Sequence, residues 1–323
     1  MIYIKRYNVG VVGATGLVGS TLLRCLEEYN FPVNLLKVFA SKKSVGKEVI
    51  FKNKNYKIEE LSSNSFIDLD FVFFCAGSDV SKRWVQIAID SGCIVIDNSN
   101  YYRMNDSVGL IVPDVNFSDK FSLISNPNCS TIQSVLCLNA LKEYGLKRVI
   151  YTTYQAVSGS GIKGIKDLEE DISYYPYNIK KTCIPQIDEF LDNGYTKEEI
   201  KMVNETRKIL DMPNLDIVAT CVRVPITNSH AVSVLVELEQ EVSVEKIKES
   251  FEKQKGLVVI EPYPTTFNSN GTDLVYVGRI RKDLTKPNSF LFYCVADNIR
   301  VGAATNAIKI AIKFIENTIA LKN

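Results

Sequence analysis

Tyr7-Asn8-Val9-Gly10-Val11-Val12-Gly13-Ala14-Thr15-Gly16-Leu17-Val18-Gly19 is the stretch that decides the fold. Tyr7–Val12 is a short β-rich run, and an amphipathic helical pattern follows over Leu17–Glu28. Glycines punctuate the turn between them. They let the backbone turn sharply and approach a pyrophosphate, and the start of the helix offers free N–H groups and a favourable dipole to an anion. The spacing is G-x-x-G-x-x-G rather than the commoner G-x-G-x-x-G. The motif therefore takes its weight from the strand–turn–helix context near the start of the chain. It predicts a dinucleotide-binding unit; the alternative is an ordinary glycine-rich turn.

Outward from this turn, strands and helices alternate. Residues 35–40 read as a second strand. Phe71-Val72-Phe73-Phe74 is a continuous apolar run, as a parallel strand buried on both faces requires. A helix is expected over 80–91, and strands over Ile94–Asp97 and Leu123–Ser125. This alternation predicts an α/β fold with a doubly wound parallel sheet of Rossmann type. A further helix starts just after Cys129 and ends near Tyr144-Gly145. The texture then changes. Strands are predicted over 149–155, 217–224, 231–238, 274–277 and 290–296, several with alternating polarity and few helices between them. They predict a second α+β domain on a mixed or antiparallel sheet. A long amphipathic helix over 303–321 closes the chain. The expected division is a nucleotide domain over 1–128, to which residues 300–323 return, and a second domain over 129–299.

A chain of 323 residues has room for two such cores. Net charge is +1, so no global field favours nucleic acid or an anionic membrane. The N-terminus lacks the order of a signal peptide, and no apolar run reaches the roughly 18 residues of a membrane span. A cytoplasmic protein with small-molecule partners is expected. The eight cysteines contain no C-x-x-C pair, and there is one histidine, so neither a zinc knuckle nor a His-rich metal site is indicated.

The end of the second strand bears on the cofactor. Phe39-Ala40-Ser41-Lys42-Lys43-Ser44 offers two lysines, two serines and no acid. NAD sites usually place a carboxylate there, whereas NADP sites place cations and hydroxyls for the 2′-phosphate, so NADP is favoured. The other reading is a solvated loop.

Cys129, in Asn126-Pro127-Asn128-Cys129-Ser130-Thr131, falls at or near a helix N-terminus, where dipole and free N–H groups stabilise a thiolate. Position alone leaves this level with a second reading, in which Ser130 or Asn128 caps the helix and Cys129 is a bystander. The lone histidine tips the balance. His230 lies in a polar loop between two strands, with Arg223 just upstream. Thiol-based carbonyl chemistry needs an acid/base near neutrality and a cation for a substrate carboxylate, and this pair supplies both types.

Six motifs carry a family resemblance: residues 13–19; Asp97-Asn98-Ser99 followed by Arg103; Asn126-Pro127-Asn128-Cys129; Gln155-Ala156-Val157-Ser158-Gly159; Arg223-Val224-Pro225 with His230; and Asp297-Asn298-Ile299-Arg300 with Gly302-Ala303-Ala304. Together, in this order and spacing, they resemble the aspartate-semialdehyde dehydrogenase family over nearly the whole chain. The resemblance implies Cys129 as nucleophile, His230 as general acid/base and Gln155 as the group orienting substrate at the thiol. It implies substrate contacts from Arg223 to the α-carboxylate and from Glu198 to the amino group. Arg103 and Lys201 would hold phosphate, and Asn128 would join the substrate-binding residues. For NADP it implies Gly13, Thr15, Gly16, Leu17 and Val18 at the pyrophosphate and Ser41, Lys43 and Ser44 at the 2′-phosphate. Ser158, Gly159 and Asn298 would lie near the nicotinamide. It also implies a homodimer or homotetramer, and no metal.

There are departures from the pattern. Lys43 stands where arginine is common, Tyr101-Tyr102 is more aromatic than usual before Arg103, and Thr305 replaces what is often a larger residue. The implied reaction is NADPH-dependent reduction of L-aspartyl 4-phosphate to the semialdehyde through a Cys129 thioester, a step in lysine, threonine and methionine biosynthesis. Two other readings stand beside it. One is a related acyl-phosphate reductase such as N-acetyl-glutamyl-phosphate reductase, although that family usually has a His-Pro-Gly type sequence before its cysteine. The other is a non-catalytic NADP-binding relative.

Overall fold

The computed structural model describes residues 5–320. Strand β1 (Tyr7–Val12) leads through the glycine turn into α1 (Leu17–Glu28) and β2 (Val33–Phe39). A hairpin of β3 (Glu48–Phe51) and β4 (Lys54–Glu59) follows, then β5 (Phe71–Phe74), α2 (Ser78–Asp90) and β6 (Ile94–Asp97). The short β7 (Gly109–Leu110), the single turn α3 (Pro113–Asn116) and β8 (Leu123–Ser125) complete this run. The strands order as β3-β4-β2-β1-β5-β6-β8-β7, and every pairing except β3 with β4 is parallel. After β2 and the hairpin the chain returns to the far side of β1, so the order reverses there. Such a switch point leaves a crevice outside the carboxyl ends of the strands.

The doubly wound parallel sheet was legible in the sequence; the antiparallel hairpin was not. Its turn residues Lys52 and Asn53 both adopt left-handed φ, +48° and +58°, in a two-residue connection. Such turns are usually announced by Asn-Gly, and Lys-Asn is a poor signal.

The apolar run in β5 is explained by the two faces of the sheet. Phe71 and Phe73 pack with Val9 and Val11 against α1 and the C-terminal helix, through Leu22, Leu26, Ile308 and Phe314. Val72 and Phe74 point the other way, into a cluster with Val12, Phe39, Val85 and Ala88 of α2. Two glycines make the β1–α1 turn possible. Gly13 has φ +84°, and a Cβ there would lie 2.5 Å from the Cys75 carbonyl oxygen. A Cβ on Gly19 would lie 2.2 Å from the Gly13 carbonyl oxygen.

The chain separates into two compact units. The described residues up to Pro113, Phe117–Pro127 and those from Ala303 onward form the first; Asp114–Asn116 and Asn128–Gly302 form the second. The second holds α4 (Cys129–Leu141), β9 (Leu146–Gln155), α5 (Gly161–Glu170), α6 (Lys197–Leu210), β10 (Asp216–Arg223), β11 (His230–Leu238), α7 (Val244–Lys253), β12 (Leu257–Val259), α8 (Thr266–Ser269), β13 (Val275–Lys282) and β14 (Ser289–Ala296). Its sheet runs β10-β9-β11-β14-β13-β12 and is mixed: β9–β10 and β12–β13 are parallel, the others antiparallel. One face is closed by buried residues such as Val149, Tyr151, Val232 and Phe292. The opposite face carries Ile150, Thr152, Tyr154, Val222, Leu235, Leu291 and Tyr293, all partly or largely exposed. Helices α6 and α7 were not read from the sequence. In α6 the buried face includes Glu198, Glu199 and Glu205, which break the apolar period.

The final helix α9 (Thr305–Ala320) follows a wider turn over Arg300–Ala304, so regular α geometry begins two residues after the predicted start. Position 321 of the predicted helix lies outside the described residues. Among the described residues no helix is long and apolar enough to cross a membrane.

Gly19→Ala is expected to destabilise the protein by about 2 kcal/mol or more, since the new Cβ overlaps backbone rather than a movable side chain. Gly77→Ala, where a Cβ meets nothing within 4 Å, is the control. Denaturant unfolding of the two variants compares them, and equal losses would contradict the steric account.

Candidate active site

In the first unit a cleft of about 400 Å³ lies at the switch point. Gly13, Thr15 and Gly16 line it from the glycine turn, Ser41 and Lys42 from the end of β2, and Arg83 and Trp84 from α2. Gly16 caps α1 without a side-chain hydrogen bond, and the first turn holds no acid, so its N–H groups are left for an anion. Leu17, Val18, Lys43 and Ser44 are not among the lining residues; Lys42 faces the cleft in place of Lys43. A single-turn 3₁₀ helix over Lys42–Ser44 separates the two lysines. Arg83, Trp84 and the acidic Glu60 reach the cleft only through the fold, and no local motif announced them. The residues present fit a dinucleotide: a glycine cradle, an uncapped helix start, and cations beside a serine.

Arg103 also belongs to the first unit. It is buried, and its Nη2 donates to the Asn98 carbonyl at 3.0 Å. The preceding Asp97 accepts from Ser81 Oγ, Ser99 N–H and Ser99 Oγ, so the Asp-Asn-Ser motif is a hydrogen-bonded brace under Arg103. Burial raises the Asp97 pKa against the pull of these donors and Arg103.

The second unit gathers most of the remaining residues singled out from the sequence. Cys129 is the first residue of α4, and Asn128 is its N-cap. Asn128 Oδ1 accepts from the N–H groups of Ser130 (2.9 Å) and Thr131 (3.3 Å). The capping that the second reading needs is present, with Asn128 as the cap, and Cys129 stands at the helix N-terminus that the first reading needs. Cys129 is partly exposed, whereas Cys25, Cys93, Cys137, Cys221 and Cys294 are buried. Burial pushes the Cys93 thiol to about 11 and those of Cys137 and Cys221 upward as well. Gly302 makes room for Cys129, since a Cβ there would lie 2.5 Å from Cys129 Cβ.

Three strand ends supply the other groups. Gln155 ends β9 and Arg223 ends β10, directly paired in the parallel register; His230 begins β11. The Ala156 peptide groups tie two of them. Arg223 Nη1 donates to the Ala156 carbonyl at 2.6 Å, and Ala156 N–H donates to His230 Nδ1 at 3.0 Å. A Cβ on Gly159 would lie 2.8 Å from Arg223 Nη1 and 3.3 Å from His230 Nε2, so glycine leaves the space into which both project. Arg223 Nε and His230 Nε2 are buried with no hydrogen-bond partner. Buried donors of this kind are rare unless a ligand completes them.

His230 is held neutral. Burial, then the neighbouring Arg223 charge, moves its pKa well below 6.5. Because Nδ1 accepts from Ala156, the proton of the neutral ring sits on Nε2, the atom without a partner. Ser229, just before it, adopts φ +73°, and its N–H donates to Asn298 Oδ1 at 2.9 Å. Asn298 also bonds Ser158 Oγ at 2.9–3.1 Å. Ser158, Asn298 and the loop that aims His230 are thus one network.

Helix α6 brings the acids. Glu198 Oε1 accepts from Asn128 Nδ2 (2.8 Å) and Gln155 Nε2 (3.2 Å). Lys201 Nζ lies 3.2 Å from Glu198 Oε2 and 2.7 Å from Asp188 Oδ2. Burial works against the lysine's charge, but Glu198 and Asp188 outweigh it and raise its pKa. Asp188 and Glu205 were not anticipated, since partners this distant in sequence leave no local pattern. Among the described residues no group of His, Cys, Asp and Glu side chains could hold a metal ion.

Neutral burial of His230 has a pH signature. Just below the ordinary histidine pKa the unfolded chain takes a proton that the folded chain refuses, so stability falls as pH drops, by at most about 1.4 kcal/mol per unit. Denaturant curves at pH 7.5 and 5.5 should show wild type losing more stability than His230→Gln. Equal losses would mean that the ring titrates normally.

Comparison with known proteins agrees with this geometry. The semialdehyde dehydrogenase NAD-binding domain matches residues 8–122, and the semialdehyde dehydrogenase dimerisation domain matches residues 138–301. An aspartate-semialdehyde dehydrogenase of Campylobacter jejuni is 45% identical over 97% of this chain and 98% of its own. That of Aquifex aeolicus is 44% identical over 94% and 97%. The crystal structure of aspartate semialdehyde dehydrogenase II from Vibrio cholerae, complexed with ASA, superposes with a TM-score of 0.92 at 37% identity, covering 97% of this chain and 99% of that one. With matches of this extent across both units, the chain belongs to the aspartate-semialdehyde dehydrogenase family.

Proposed function

We propose that this protein reduces L-aspartyl 4-phosphate to L-aspartate 4-semialdehyde and phosphate with NADPH, through a thioester on Cys129. The observation that carries the reading is the clustering of a capped helix N-terminal cysteine with Gln155, Arg223, His230 and Glu198 in one unit. The names of the relatives support the substrate.

The Cys129 thiolate attacks the acyl phosphate carbonyl; the C–S bond forms and the C–O bond to phosphate breaks. When bound, the nicotinamide cofactor supplies the hydride that reduces the thioester. The alkoxide then expels the thiolate, which returns to its starting state. Each stage passes through an oxyanion, and the Nε2–H of neutral His230 is the donor for it as general acid, aided by the positive end of the α4 dipole. Arg223 holds the substrate α-carboxylate with the guanidinium edge left open at Nε. Glu198 takes the amino group, and Gln155, tied to Glu198, orients the carbonyl. Lys201 and Arg103 are the phosphate ligands.

NADP is the proposed form of the cofactor. Ser41, Lys42 and Arg83 give the cleft a hydroxyl and two cations, against one acid, Glu60. The proposed assembly is a cytoplasmic homodimer, or a tetramer of such pairs, formed through the outer face of the six-stranded sheet. Tyr154 and Tyr293 stand on that face with ring centroids 6.2 Å apart.

Three measurements test this reading. Aspartate semialdehyde should reduce NADP only with phosphate present, and N-acetyl-glutamate semialdehyde should not. Cys129→Ser should lower turnover by about three orders of magnitude or more while leaving NADPH binding intact. Activity with the acetylated aldehyde alone would transfer the substrate to the related reductase, and a folded, NADPH-binding but silent wild type would favour a non-catalytic role. In sedimentation velocity the wild type should run as a dimer or tetramer and Tyr154→Asp/Tyr293→Asp as a smaller species; a monomeric wild type would overturn the assembly.

A further inference from the structure

Asn128, the residue before the nucleophile, has every polar group engaged. Its carbonyl accepts from Ile132 N–H at 3.0 Å, the first turn of α4. Its Oδ1 caps Ser130 and Thr131, and its Nδ2 donates to Glu198. Its own N–H donates to Glu205 Oε2 at 2.6 Å. Pro127 has no N–H, so this bond is the one backbone donor available across those two positions.

Glu198 and Glu205 lie seven residues apart on α6, two turns along the same face. One glutamate holds the Asn128 side chain and the other its backbone. Helix α6 is itself anchored to the strand that carries Arg223. Glu199, next to Glu198, accepts from Cys221 N–H at 3.0 Å and from Thr196 N–H at 2.7 Å in a capping box. Glu205 is 1% exposed, and a buried carboxyl persists only where donors meet it. Its short bond to Asn128 is of the strong, directional kind that fixes a peptide plane.

We propose that Glu205 is a positioning residue for Cys129: by taking the Asn128 N–H it fixes the Pro127–Asn128 peptide plane, from which the capping Asn128 leads the thiol into the first turn of α4. It refers the nucleophile to α6, and through Glu199 to β10 and Arg223. The attacking sulfur and the substrate's carboxylate anchor then share one frame. The proposal rests on Cys129 being the nucleophile of the function proposed above. Glu205 touches neither substrate nor cofactor in it, so its loss should appear in the chemical step and leave substrate binding alone.

Two conservative replacements separate reach from charge. Glu205→Gln keeps the length and an acceptor oxygen but not the charge. Glu205→Asp keeps the carboxyl but is one methylene too short. Steady-state phosphate-dependent NADP reduction by aspartate semialdehyde is measured for both beside wild type. The expected result is kcat within about threefold of wild type for Glu205→Gln and lower by roughly 10- to 100-fold for Glu205→Asp, with KM for the aldehyde within about twofold in both. Should Glu205→Asp fail to fold, Glu205→Met, equally long without an acceptor, takes its place with the same expected loss. An active wild type with equal kcat in the length-preserving and the shortened or acceptor-free variant overturns this proposal alone, as does a loss confined to KM. A silent wild type overturns the proposed function and this proposal with it.

Discussion

The start of α4 is the constraint on which the second unit is organised. A helix leaves its first N–H groups without intrahelical partners, and they must find acceptors or a ligand. Asn128 Oδ1 satisfies two of them, and in doing so places Cys129 at the positive end of the helix with its side chain partly exposed. The consequences spread outward from that cap. Asn128 needs partners for its remaining donors, and α6 provides Glu198 and Glu205. Gln155 then finds the same Glu198 oxygen, so the end of β9 is tied to the cap as well. Gly302 is required because any Cβ there would strike Cys129.

A second consequence is stored cost. Leaving a buried donor unmet costs on the order of 1–3 kcal/mol, and Arg223 Nε and His230 Nε2 are both unmet. The left-handed Ser229 adds backbone strain beside them. The six-stranded sheet carries these costs, since its buried face extends from Val149 and Tyr151 to Phe290 and Phe292. Local penalties gathered at strand ends are what a site awaiting a ligand's acceptors would show. The neutral imidazole belongs to the same design. Burial and Arg223 exclude the charged ring, and the Ala156 N–H directs its single proton to Nε2.

Much of this was legible in the residues. The glycine turn, the all-apolar β5 and the strand–helix alternation specify a doubly wound sheet because each is a local pattern with a local cause. The alternating strands after residue 149 likewise announced a mixed sheet. Cys129 was visible as a candidate from its place ahead of a helical run, and His230 from being the only histidine. Less was legible in α6, whose buried glutamates hide its amphipathic period, and in the Lys52-Asn53 hairpin, whose turn lacks glycine. At the end of β2, Lys42 lines the nucleotide cleft and Lys43 does not. A single 3₁₀ turn decides whether Lys42 or Lys43 faces inward, and the sequence is the same in either case.

The sequence by itself determined the architecture of each unit and the placing of Cys129 at a helix start, because hydrophobic period, glycine φ and helix capping act over a few neighbouring residues. Tertiary structure alone decided which groups gather around that cysteine and around the nucleotide cleft. The pairing of Gln155 with Arg223, the Ala156 bonds that set the His230 tautomer, the Glu205 bond to Asn128 and the arrival of Arg83 at the nucleotide cleft join residues dozens of positions apart. Such contacts are made by sheet register and helix packing, which no local pattern encodes.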